Sequence, residues 1–122
     1  MASPAEIGHS RHRQQLSSEL RSIVEEFARQ QGWSIIEGGA CLSAYDGHIH
    51  GHTIRDQSLQ SYWGWENGTW LRIDVASTGE AWDALVIITS SGHDETALVP
   101  QGSDSIKAIT AVESVLKSLK DR

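Results

Sequence analysis

The 122-residue chain has one cysteine, one phenylalanine, one methionine and two prolines. A lone Cys41 excludes an internal disulfide and a cysteine-rich zinc module. Long apolar runs are missing too. The longest is Ala84 to Ile88, far short of the ~18 residues that a membrane helix needs. Met1 to Arg13 lacks the apolar centre of a secretory leader, so a cytoplasmic location is expected. Positive charge is scarce. Ten Lys and Arg stand against 16 Asp and Glu, a formal net charge of −6. That balance speaks against binding a nucleic-acid backbone, where counterion release needs a basic surface. It favours a basic protein partner through electrostatic steering.

What is present is an ordinary globular balance, 39% hydrophobic and 21% charged, in a chain sized for one core. Residues 1–12 are small and polar and read as a flexible tail, leaving residues 13–122 as a single domain. Leu16, Leu20, Ile23, Val24 and Phe27 recur at helical spacing, and Gly32 suits the residue just after a helix end. Ile106, Ile109, Val112, Leu116 and Leu119 repeat the pattern, with Lys117 and Lys120 where the helix dipole favours cations. Between the helices the period is two. Asp46-Gly47 and Asn67-Gly68 are two-residue hairpin signals, and Ala81 to Thr89 is apolar on both faces, as a central strand would be. The pattern predicts an α+β two-layer sandwich. Its sheet is mostly antiparallel, two hairpins plus a central strand, with the N- and C-terminal helices packed on one face.

Five tryptophans are the compositional oddity. A two-residue loop at Asn67-Gly68 would place Trp65 opposite Trp70, Trp63 opposite Arg72 and Tyr62 opposite Ile73. Tyr62, Leu71, Ile73 and Val75 would then face the core. Trp63, Trp65, Trp70, Arg72 and Asp74 would share the other face. Such a patch reads either as a stabilising hairpin clasp or as an exposed binding platform, since Trp and Arg are enriched at binding hot spots. Trp33 and Trp82 are expected at core edges.

His48, His50 and His52 alternate in His-Ile-His-Gly-His. A turn at Asp46-Gly47 would put Cys41 opposite His52 and all three histidines on one face. Cys41, His48, His50 and His52 could then hold zinc or another divalent transition metal. A plain solvated face and a pH-sensitive cluster are the competing readings. His93 is a loop residue in this reading. No nucleophile elbow, HExxH or phosphate loop is present, so catalysis is not favoured. Asp74 with Asp83 as a carboxylate pair, and Cys41 with His52 as nucleophile and base, are the two catalytic readings these residues allow.

The order of helix, antiparallel strands, Val99-Pro100 and closing helix resembles small bacterial sensory-regulator and secretion-chaperone-like proteins. The likeness covers layout only and implies no site residue. The leading expectation is an acidic cytoplasmic protein-binding module of regulator, chaperone-like or immunity type, using the Trp face. A metal-binding protein built on the Cys/His hairpin is the alternative. A carbohydrate or small-ligand site on the Trp face is a third. The aromatic face would also suit a homodimer.

Overall fold

The computed structural model describes residues 4–44, 47–49, 52–77, 84–98 and 106–121. The elements are α1 (Pro4–Gln31), β1 (Ile35–Ala44), β2 (Gly47–Ile49), β3 (His52–Trp65), β4 (Trp70–Ser77), β5 (Ala84–Ser90), β6 (His93–Leu98) and α2 (Ile106–Lys120). The strands form an antiparallel sheet in the order β1-β3-β4-β5-β6, with β2 also paired to β3. This is the expected α+β arrangement. Leu16, Leu20, Val24 and Ala28 form one stripe of α1, and Val112, Leu116 and Leu119 form the stripe of α2. Both bury against Leu71, Ile73 and Val75 of β4 and Val86 and Ile88 of β5. Each such side chain contributes roughly 1.5–3 kcal/mol when fully withdrawn from water.

α1 begins at Pro4, well before the apolar stripe that starts at Leu16. Proline suits the first turn of a helix, where its missing N–H has no partner to lose. The first turns carry almost no apolar residues, so hydrophobic periodicity does not register them. Residues 85–88 of β5 are buried on both sides, as expected for a central strand. Leu85 and Ile87 join Ala76 in a second buried cluster on the face away from the helices.

Two registers differ from the sequence expectation. The β3–β4 loop has three residues, Glu66, Asn67 and Gly68, not two. Trp65 donates its N–H to the Thr69 carbonyl at 2.9 Å, and Gly68 donates to the Trp65 carbonyl at 3.0 Å. Gly68 takes φ 85°, the left-handed conformation that closes a three-residue hairpin loop. Asn67 Oδ1 accepts the Thr69 N–H at 2.9 Å and holds the turn. The pairs become Gly64 with Trp70, Trp63 with Leu71, Tyr62 with Arg72 and Ser61 with Ile73. A one-residue shift moves every side chain of one strand to the other face.

The second difference lies at the histidine hairpin. Ala44 pairs with Gln57 and Gly47 with Ile54, so β2 continues the line of β1 along β3. Ile49 pairs with His52, which puts the chain reversal after Ile49 rather than at Asp46-Gly47. The longer ladder sets Leu42 opposite Leu59 and keeps a single register along β3. That extended pairing outweighs a local turn preference.

Candidate functional site

The shifted register divides the five expected binding residues. Trp63 and Trp65 lie on the helix side, each 2% exposed. Trp70, Arg72 and Asp74 lie on the other side, with Tyr62 beside Arg72. The exposed three-indole platform is therefore corrected. Two indoles belong to the core because the three-residue loop sends them there.

The buried indoles form an aromatic row beneath α1. Trp63 stacks on Trp65, with centroids 6.5 Å apart and planes at 3°. Trp65 meets Trp33 at 5.2 Å, and Trp33 meets Phe27 edge-on at 5.6 Å. The far end is capped by Arg21 of α1, whose guanidinium stands 5.4 Å from the Trp63 ring. Arg21 also donates to the Gly39 carbonyl at 3.1 Å and so ties α1 to β1. Trp33 packs against the core as expected. Trp82 and Asp83 lie outside the described residues.

On the helix-free side, Trp70 is 43% and Tyr62 37% exposed. Trp70 stands opposite Gly64, so no β3 side chain shields it. A Cβ on Gly64 would come within 3.1 Å of Glu37 Cγ, so the glycine makes room for Glu37. Glu37 Oε2 accepts the Tyr62 hydroxyl at 2.9 Å. That hydrogen bond, with some desolvation and the carboxylate's charge, pushes the Tyr62 pKa above the usual phenol value. Arg72 donates from Nε and Nη2 to the two carboxylate oxygens of Asp74, at 2.8 and 3.2 Å. Asp74 is completely buried, whereas the Arg72 side chain is partly exposed. Asp74 thus orients Arg72 instead of meeting a ligand itself. Sequence reasoning placed Tyr62 in the core and overlooked Glu37. The alternation that would have found Tyr62 was present, one residue out of register.

The metal hypothesis loses its central pair. Cys41 faces Gln60, most of a strand away from His52. The reversal after Ile49 separates His48 on β2 from His52 on β3. His50 lies outside the described residues, as do the side chains of His48 and His52. Among the described residues, no group of three or more His, Cys, Asp or Glu side chains is placed to hold a metal. The Cys41–His52 nucleophile reading fails for the same reason. His93 starts β6, paired with Ser90, instead of lying in a loop.

A groove of about 620 Å³ runs between the helices, lined by Ile23, Phe27 and Leu116 with Glu26, Glu113 and Lys117 among its polar residues. Among the described residues, no helix is long and apolar enough to cross a membrane. Comparison with protein-family models, curated proteins and solved structures finds no match to this chain.

Proposed function

We propose that the chain is a protein-binding module whose docking surface is the helix-free side of the sheet around Tyr62, Trp70 and Arg72. One observation carries the reading. Trp70 is 43% exposed on a strand whose next residues, Leu71 and Ile73 to Ala76, are all buried. Trp, Tyr and Arg are the residue types that dominate binding hot spots. Here the Arg is held by a buried carboxylate and the Tyr by Glu37, so both are ordered before a partner arrives.

The partner would be a basic protein. Glu37 and Glu66 are exposed near this surface, and the whole chain carries −6. Regulator, chaperone-like and immunity-type roles would all fit such a surface.

The test is photo-crosslinking from a probe at position 62, identification of the captured protein, and titration with that protein purified. Trp70→Ala is expected to weaken binding at least tenfold, about 1.4 kcal/mol, with an unchanged melting temperature. Unaltered affinity in the Trp70→Ala and Tyr62→Ala variants would reject this surface.

A further inference from the structure

Among the described residues, the outer edge of β1 is open. β1 ends the strand order, and among the described residues no strand pairs with its outer side. Alternate residues of an antiparallel strand aim their N–H and C=O groups at opposite neighbours. Trp65 donates across the hairpin to Thr69, so Trp63 and Ser61 also serve β4. Gly64, Tyr62 and Gln60 then serve β1, where they face Glu37, Gly39 and Cys41. The alternate residues, Gly38, Ala40, Leu42 and Ala44, present their backbone groups outward.

Natural sheets blunt such edges with Lys, Pro, short strands or bulges. β1 has ten residues, no Lys, Arg or Pro, and one charge, Glu37. Its bulge lies between Ile35 and Glu37, before the outward row begins. Ile35 and Ile36 are exposed there, Ile36 at 66%. The opposite edge, β6, differs: it has six residues, two of them Asp94 and Glu95.

We propose that the β1 edge is a homodimerisation surface, on which a second copy lays its own β1 antiparallel across a two-fold axis. The proposal does not rest on the docking surface above. Its occupant follows from complementarity. A row of alternating donors and acceptors matches itself about a two-fold, and such a contact closes. Charge selects the same edge. Two copies at −6 repel, and β1 brings the fewest charges together, whereas paired β6 edges would oppose acidic residues. A β1-to-β6 contact would be head to tail and would leave an open edge at each end.

The register is also determined. Matching all four outward residues pairs Gly38 with Ala44, and Ala40 with Leu42, of the second copy. The two Cys41 residues then meet at the axis as a non-hydrogen-bonded pair, with Cα atoms about 4.5 Å apart. That separation lies at the short end of the range a disulfide bridges, about 4.4–6.8 Å. Cys41 is a free, exposed thiol.

The experiment measures the solution mass of the full chain by light scattering under reducing conditions, at micromolar concentration. The expected mass is twice 13.4 kDa. Diamide, which takes up the two thiol hydrogens, is expected to link the dimer through Cys41. Cys41→Ser should abolish that link while leaving the reduced dimer intact. Ala40→Pro removes an outward N–H that the single chain does not use, a change edge strands tolerate, and should halve the mass. Should that variant misfold, Ala40→Lys places a blocking charge at the same edge and should give the same result. A monomeric native chain overturns the proposal. So does a dimer that survives both folded variants, or one that diamide cannot link.

Discussion

Three tryptophans of one hairpin have different surroundings, and the difference is measurable. Trp63 sits at the core between Arg21 and Trp65, whereas Trp70 is open to water. Trp63→Ala is expected to lower unfolding free energy by about 3–5 kcal/mol, the range for a large buried aromatic. Trp70→Ala should stay within about 0.5 kcal/mol, as for a surface position. Urea denaturation of both variants checks the contrast, and equal losses would contradict the assignment of faces. Tyr62 offers a pH readout. Its folded pKa is raised because its hydroxyl donates a hydrogen bond to the Glu37 carboxylate, which holds the proton on the phenol oxygen. Stability from this bond is therefore full below the unfolded phenol value of about 10 and is lost as pH rises through the higher folded value. Ultraviolet titration should show a tyrosine transition above the ordinary range. Glu37→Ala should move it down. The residue types at this site were legible in the sequence, which singled out Trp70, Arg72 and Asp74. Their roles were not, because burial of Asp74 and exposure of Tyr62 depend on which face each occupies.

At the scale of the elements, loop length decides the face. With a two-residue loop the core side of β3 would present Tyr62. With three residues it presents Trp63 and Trp65. Each indole withdraws about 150–250 Å² from water, roughly 4–6 kcal/mol as an upper figure. That gain exceeds any preference between hairpin turn types. Because Trp65 already faces Thr69 across the loop, deleting Glu66 would leave Asn67-Gly68 as a two-residue turn with the same pairing. The deletion is expected to fold, losing about 0.5–1.5 kcal/mol with the Glu66 N–H to Ser34 carbonyl bond. Circular dichroism and thermal unfolding check this. Had Glu66 been paired with Thr69, the same deletion would turn the core face of β3 outward and unfold the chain. The histidine hairpin shows the same limit on local reading. Asp46-Gly47 has the chemistry of a tight turn, yet Gly47 pairs with Ile54 of β3 because pairing along β3 continues in one register.

For the whole molecule, net charge sets an expectation for the proposed partner. A basic protein steered by a chain at −6 should associate more slowly as salt rises, with dissociation far less affected. Stopped-flow association at several ionic strengths checks this, and a salt-independent on-rate would exclude a basic partner at this surface. The sequence by itself determined the layers. The two amphipathic stripes, the two-residue period between them and the doubly apolar β5 require helices on one side of an antiparallel sheet, because periodicity is local and each stripe must be buried. Tertiary structure alone decided the register of β3. Two registers one residue apart satisfy the same alternation, and only the helices above the sheet select the one that buries two indoles. The opening scarcity of phenylalanine takes its meaning from that choice: Trp63, Trp65 and Trp33 build the aromatic part of the core with the one Phe27, and Trp70 is left facing solvent.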